Sequence, residues 1–567
     1  MFGAGFLLIE TELDSLGSQS IMKILFAASE MTPYAKTGGL GDVVGALAGE
    51  LSRLGHEVTC CIPYYRQVRE VLGEGRRGDL SQGRRRGLPL REEAKPVGLT
   101  LTIPLGSRTV TGDVLELRQP DGVRVLFVRR DEFFDRSELY YTGVRDYEDN
   151  AERFLFFSKA VVELAGYTRY RADVVHCHDW PTAFVPVQMR HRESQRLGDQ
   201  EGRRGGQPLQ GDFGGDKSPV PLAKTVLTIH NIAYQGMFWS LDFPLTNLPG
   251  EFFTPEALEY YGQMNLLKGG IVFADAITTV SKTYADEIQT AEGGFGLDTV
   301  LGTRADDLHG IVNGVDYACW NPETDPHLRH PYDMKDLSGK QACRADLLAK
   351  LGLDGGTAAE GRHGGLPLQG TPGKAASGGL PLQEAGPVAA FVSRLTEQKG
   401  IELMAAAAED LVKSGVTLAI LGKGERKYEE LMTGVAARYP GRVSVTIAHD
   451  EALAHQMQAG ADILLMPSHF EPCGLTQLYA LKYGTIPVVH ATGGLEDTVA
   501  PYNGRTGAGT GFKFATYTPA AFVGAVQQAI LLHKQPKKWQ KLMRNAMACD
   551  FSWQASAKEY EKLYAAL

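Results

Sequence analysis

Residues 23–62 read KILFAASEMTPYAKTGGLGDVVGALAGELSRLGHEVTCCI, and they decide the fold. Ile24–Ala28 is a short apolar run, followed by a glycine-bearing loop from Glu30 to Gly39. Val43, Val44, Leu47, Leu51 and Leu54 then recur at helical spacing, and Gly55 stands where a helix C-cap is expected. Val58–Ile62 is the next strand. Strand, loop, helix and strand make one β-α-β unit. A second begins at Val388, with strand VAAFV, loop Ser393–Lys399, helix Ile401–Val412, Gly415 and strand Thr417–Leu421. Further apolar runs at Val125–Val128, Asp173–Val175, Thr225–Ile229, Ala276–Val280, Ile463–Met466 and Ile486–Val489 fit parallel strands covered on both faces. The expectation is an α/β protein with two doubly wound parallel-sheet domains.

The 567 residues are enough for several domains of about 100–200 residues each. Hydrophobic residues make up 43% and charged residues 22%, which excludes a wholly disordered or fibrous chain. The net charge of -9 argues against nucleic acid as a partner. No apolar run reaches the roughly 18–20 residues that cross a bilayer, so no membrane partner is expected. Seven scattered cysteines without a Cys-x-x-Cys pair exclude a disulfide scaffold and a zinc ribbon, and they point to a reducing, cytoplasmic compartment. Phe2–Ile9 is apolar, but Glu10, Glu12 and Asp14 follow and no basic stretch precedes it. Met1–Ile21 is therefore read as a dispensable extension rather than a signal peptide.

Four segments share a Gly-rich, Pro-Leu character: GRRRGLPLR (83–91), GRRGGQPLQ (202–210), GRHGGLPLQ (361–369) and SGGLPLQ (377–383). Their irregular spacing excludes a solenoid, and their composition buries too little apolar surface to order a chain. They are read as surface insertions near 74–95, 195–219 and 355–386, the alternative for the first two being an Arg-rich interaction tag. The first domain is then expected over 22–318 and the second over 319–545, with a hinge near 314–325. A C-terminal helical segment, 546–567, carries Trp553, Tyr560, Leu563 and Tyr564 as apolar anchors and is expected to pack back on the first domain.

Several loops carry residues suited to chemistry. KTGGLGD, Lys36 to Asp42, sets a lysine and adjacent glycines before a helix N-terminus, where an anion can bind; a plain turn with a surface lysine reads equally from these residues. SRLTEQKG places Arg394 and Lys399 on one short loop at a strand end, where two cations can grip a diphosphate or stand solvated. Both are expected to line an open surface. FEPCGLTQL follows the strand ILLMPS and puts Glu471 at a helix start, and the turn TGGL, Thr492 to Leu495, follows IPVVH. HCHDW (176–180) and HNIAYQG (230–236) also follow apolar strands. His176 and His178 are disfavoured as metal ligands because no further Cys/His pair accompanies them. No Asp-x-Asp occurs, so no metal and no cofactor are expected.

The order KTGGL, HxHDW, TIHNIAYQG, VNGVD, SRLTxQKG, EPCGLTQL and TGGLxDTV closely resembles that of bacterial glycogen synthases and plant starch synthases, from about Met22 onward. The resemblance implies the GT-B fold: two Rossmann-like domains facing a cleft. It implies metal-free transfer of glucose from ADP-glucose to the non-reducing end of an α-1,4-glucan, with retention at the anomeric carbon. It also implies roles. Lys36, Gly38, Gly39 and Asp42 would meet the donor. Asp179 and His230 would contact the glucose, with Asn313 near it. Arg394 and Lys399 would bind the diphosphate, and Glu471 would orient the glucose. Cys473, Gly474, Leu475 and Thr476 would follow the donor, and Gly493, Gly494 and Leu495 would close on the phosphates. His449 falls where the family commonly has a tyrosine to stack on adenine. Tyr479 stands eight positions after Glu471, where related transferases using other donors often have a second glutamate. The alternatives are a transferase using UDP-glucose or another acceptor, and a non-catalytic glucan-binding homologue.

Overall fold

Two open α/β sheets form the frame of this computed structural model, which describes residues 21–73, 93–143, 145–167, 169–202 (197–202 as backbone only), 223–353 and 386–567. The four Gly/Pro/Leu segments, from Arg203 on in the case of the second, and Met1–Ser20 lie outside the described residues. The described residues divide into two compact units. One comprises those up to Thr278 with Gly294–Leu308 and Ala557–Leu567; the other comprises Thr279–Gly293 and His309–Ser556.

The strands of the first sheet are β1 (Lys23–Ala27), β2 (Glu57–Pro63), β3 (Lys95–Leu105), β4 (Arg108–Arg118), β5 (Arg124–Arg129), β6 (Val174–His178) and β7 (Lys224–Ile229). A small separate sheet holds β8 (Met237–Trp239), β9 (Glu259–Tyr260) and β10 (Gln263–Asn265). β11 (Ala276–Thr279) and β12 (Leu308–Gly310) complete the large sheet, whose order is β12-β11-β7-β6-β1-β2-β5-β4-β3. β1 runs parallel to β2 and to β6, with Phe26 opposite Cys60 on one side and His176 on the other. At the far edge β3, β4 and β5 pair antiparallel, which the apolar runs did not signal. β3 reads KPVGLTLTIPL and buries only alternate residues, as a half-exposed antiparallel strand does.

Helix Gly39–Arg53 links β1 to β2 and buries Val43, Val44, Leu47 and Leu51. Full burial of such side chains stabilises by about 1.5–3 kcal/mol each. The helix stops at Leu54, and Gly55 turns the chain back at φ +100°, a left-handed conformation that favours glycine. The C-terminal helix Trp553–Ala566 contributes Tyr560 and Tyr564 to the core of the first unit.

The second unit repeats the plan with β13 (Val388–Val392), β14 (Thr417–Gly422), β15 (Val443–Ile447), β16 (Ile463–Met466), β17 (Ile486–His490) and β18 (Phe512–Phe514), ordered β15-β14-β13-β16-β17-β18 and all parallel. Apolar clusters pack on both faces. One is built on Phe391, Ile401, Leu411, Leu418 and Phe522, the other on Val388, Ala419, Met457, Leu464 and Leu495.

Candidate active site

In each unit the motif-bearing loops leave the C-terminal ends of three neighbouring parallel strands. In the first these are β1, β6 and β7; in the second, β13, β16 and β17. The direction of strand succession reverses between β6 and β1, and again between β13 and β16. Such switch points are where open α/β sheets bind ligands.

In the first unit Glu30, just past β1, is 4% exposed and organises the loop that follows. Its carboxylate accepts from the Thr37 amide (2.6 Å), the Gly38 amide (3.2 Å), the Thr37 hydroxyl (2.7 Å) and the Tyr140 hydroxyl (2.7 Å). Lys36, half exposed, donates to Asp42 at 2.7 Å, and Asp42 also accepts from the Thr32 hydroxyl. A Cβ at Gly38 would meet nothing within 4 Å, so this side of the loop is open; Gly39 begins the helix. Asp179, beyond β6, adopts φ +55°, uncommon for a residue other than glycine and a form of backbone strain that clusters at functional sites. Its carboxylate accepts from the His230 amide at 2.7 Å and from the Asn231 amide, which fixes the loop after β7. Burial pushes the Asp179 carboxyl up to about 7, against the lowering effect of those two amides.

The histidines beside it are held neutral by burial, which lowers His230 to about 3 and His178 well below its ordinary value. His230 Nε2 lies 2.9 Å from His178 Nδ1, and His178 Nε2 is buried without a hydrogen-bond partner among the described residues. A neutral His230 can share a hydrogen bond with a sugar hydroxyl but carries no positive charge. His176 faces elsewhere: its two ring nitrogens meet Thr228 Oγ1 at 2.6 Å and Tyr564 OH at 2.7 Å, and both are engaged within the protein.

In the second unit Lys399 is not an open loop cation. Its side chain is 14% exposed, and Nζ donates to Glu471 Oε1 at 2.8 Å and Oε2 at 2.6 Å. The Glu471 side chain is 6% exposed, and Ser468 Oγ donates to its Oε2 at 2.9 Å. Loops from β13 and β16 are thus joined across the switch point by a buried ion pair. Arg394 is exposed and forms no ion pair among the described residues. Cys473 is buried, its thiol raised to about 12 chiefly by desolvation, and Asn313 hydrogen-bonds to it. Asn313 Oδ1 is buried with no partner among the described residues. Gly474 takes φ +70°, and helix Thr476–Lys482 starts after Leu475.

The glycines of TGGL serve close packing. A Cβ on Gly493 would lie 2.1 Å from the Glu471 carbonyl, and one on Gly494 would lie 2.1 Å from the Cys473 carbonyl. The Gly493 amide donates to Glu287 (2.9 Å), the Gly494 amide to the Glu471 carbonyl (3.0 Å), and the Leu495 amide to Thr492. Asp497 returns the favour by accepting from the Lys282 and Thr283 amides, so helices Lys282–Glu287 and Gly493–Thr498 cap one another. His449 is exposed, just after β15, and Asp450 caps the next helix through the Leu453 amide. Tyr479 stacks on Trp320 at 3.9 Å.

Sequence reading singled out neither Ser468, Tyr140 nor Glu287. Glu30 was visible only as the first charge after β1, a position that carries no chemistry until the loop folds over it.

Two family profiles match the chain: the starch synthase catalytic domain over residues 23–200 and 213–303, and glycosyl transferases group 1 over 375–546. Glycogen synthase of Koribacter versatilis is 40% identical over 96% of this chain and 98% of its own length. That of Anaeromyxobacter sp. strain Fw109-5 is 41% identical over 96% and 99%. Among solved structures, the catalytic domain of starch synthase IV from Arabidopsis thaliana, bound to ADP and acarbose, aligns with TM-score 0.78 and 30% identity over 96% of this chain and 99% of that one. Two doubly wound sheets, each with its loop cluster at a switch point, and this structural match define a GT-B glycosyltransferase. The chain belongs to the glycogen and starch synthase family, and its activity is glycogen synthesis by glucose transfer onto an α-1,4-glucan.

Proposed function

We propose that the donor is ADP-glucose and that the loop clusters described above divide the work of holding it. The observation that carries this reading is the buried Lys399–Glu471–Ser468 array at the switch point of the second sheet, with exposed Arg394 on the same loop. Arg394 and Lys399 neutralise the diphosphate, and their contact strengthens as charge grows on the departing ADP. Glu471 orients glucose hydroxyls while its second function, pairing with Lys399, keeps that ammonium at a fixed place. Asn313 turns its unpartnered Oδ1 to the sugar, and Cys473, Gly474, Leu475 and Thr476 border it. Gly493, Gly494 and Leu495 support the phosphate side by packing against Glu471–Cys473. His449 stacks on adenine.

From the first unit, Lys36, Gly38, Gly39 and Asp42 border the donor, with Glu30 as the positioning residue of their loop. His230 shares a hydrogen bond with the glucose, and Asp179 holds the His230–Asn231 backbone in place. The acceptor hydroxyl, at the non-reducing end, attacks the face that ADP leaves, which retains configuration. Alignment and charge stabilisation then supply most of the acceleration. The relative bound to ADP supports the choice of nucleotide. Buried, unlinked Cys60, Cys61, Cys177, Cys343 and Cys473 suit a reducing cytoplasm. The test is nucleotide release with glycogen as acceptor. ADP-glucose is expected to turn over at least ~10-fold faster than UDP-glucose, a difference of about 1.4 kcal/mol; equal rates, or faster release of UDP, would overturn the donor assignment.

A further inference from the structure

A further constellation lies in the second unit, on the helix that begins two residues after His449. Glu451 and His455 stand one turn apart on helix Glu451–Gly460 and so share a face. Cys319 closes a turn whose amide donates to the Asp316 carbonyl. One ligand atom from each of Cys319, Glu451 and His455 can be chosen so that all lie within 4.8 Å of one another. Cys319 and Glu451 are exposed, whereas His455 is 1% exposed.

His455 is held from two sides. The indole of Trp320 stacks on its ring at 3.7 Å and 8°. Its Nδ1 lies 2.7 Å from Asp325 Oδ2, which also accepts from the Tyr483 hydroxyl at 2.5 Å. A carboxylate at Nδ1 keeps the proton there and leaves the lone pair on Nε2, the arrangement that orients metal-bound imidazoles. Nε2 is buried and has no hydrogen-bond partner among the described residues. An unmet buried acceptor is unfavourable by itself, and a ligand at this atom removes the penalty.

We propose that Cys319, Glu451 and His455 Nε2 form a binding site for a thiophilic divalent cation of the zinc type, with water in the fourth position. One sulfur, one oxygen and one imidazole nitrogen suit Zn²⁺ in a tetrahedral site, while the thiolate disfavours the hard cations Mg²⁺ and Ca²⁺. Bonds of about 2.0–2.3 Å to Zn²⁺ bring the three donor atoms closer than 4.8 Å. The exposed Cys319 and Glu451 side chains can make that approach, while the stacked His455 stays fixed. Binding releases the thiol proton and ties the turn at Cys319 to the first turn of the helix.

The test uses the full chain, stripped with a chelator and titrated with Zn²⁺ against a chromophoric competitor, and with Co²⁺ as a spectroscopic probe. The expected result is one tight equivalent of Zn²⁺ and a thiolate-to-Co²⁺ charge-transfer band in the near ultraviolet. Cys319→Ser should abolish that band, and both Cys319→Ser and Glu451→Gln should weaken Zn²⁺ binding at least ~10-fold. Both side chains are exposed, so the unliganded variants should melt with the parent. Zn²⁺ should also shield Cys319, read by peptide mapping, from alkylation. A parent protein that takes up no stoichiometric Zn²⁺ at micromolar concentration, or a Cys319→Ser variant that binds as tightly as the parent, overturns the proposal.

Discussion

Replacing Lys399 by methionine separates the two roles proposed for this lysine. In the structure its ammonium donates to both oxygens of Glu471, whose only other side-chain donor among the described residues is Ser468. Lys399→Met keeps the volume but leaves a buried carboxylate with one hydrogen bond. Breaking a buried pair from one side costs about 3–5 kcal/mol, because the remaining charge is left uncompensated. For a domain of roughly 150–250 residues each kcal/mol moves Tm by about 2–4 °C, so a fall of roughly 6–20 °C is expected. Neutralising the partner as well, in Lys399→Met/Glu471→Gln, should restore most of that loss, since no unpaired charge remains. Activity should not return with stability: kcat for ADP release should stay ~10²–10³ below the parent in both variants. Arg394→Ala is the control. Arg394 is exposed and unpaired among the described residues, so kcat should fall comparably while Tm stays put. Calorimetry and an ADP-release assay on the four proteins decide the matter. If Lys399→Met melts within a degree or two of the parent, or if the double variant is no more stable than the single one, the ion pair does not hold the loops together and the reasoning fails.

Mild acid should destabilise the protein through its buried histidines. Burial lowers His176 to about 3, so between there and the unfolded value near 6.5 the unfolded chain binds the extra proton. Stability is therefore full above about pH 6.5 and falls below it, by about 2 kcal/mol from His176 alone at pH 5. Buried His178 and His230, the latter lowered to about 3, act in the same direction, and the three rings together outweigh Asp179, which is raised to about 7 and opposes them between about pH 4 and 7. Urea unfolding at pH 7.5 and pH 5 should show the lower free energy at pH 5, and equal values would contradict the burial of these rings. Tyr564→Phe strips His176 Nδ1 of its partner and should cost about 1–3 kcal/mol by the same measurement. Gly494→Ala drives a Cβ into the Cys473 carbonyl and should cost about 1–3 kcal/mol or more, with loss of activity; a variant that melts and works like the parent would show that the two loops do not touch so closely.

The parallel core was legible because strands buried on both faces read as unbroken apolar runs, and ILFAA, VAAFV and ILLM need no context to be recognised. The hairpin of β3 and β4 was not, because Lys95–Leu105 mixes threonine, glycine and proline with alternate aliphatics, a weaker signal. Loop placement followed from strand placement: the motifs that hold Lys36, Asp179, His230, Arg394 and Glu471 come after apolar runs, while Asp179 and His230 were singled out within theirs by the family resemblance alone. Pairing was beyond reach. Nothing along the chain says that Lys399 meets Glu471, 72 residues away, or that Glu30 rather than a ligand takes the Thr37 and Gly38 amides. The TGGL glycines show the same limit: their residue type signalled close approach, but the approaching group is the chain's own carbonyl.

Residues 557–567 complete the core of the first unit, where Tyr564 meets His176 and Glu561 meets His56. A ribosome delivers them only after the whole of residues 309–556. The first unit therefore cannot be completed until residues 557–567 have been made, and the flank beside His176 gains its Tyr564 partner only after the whole stretch that builds the second unit.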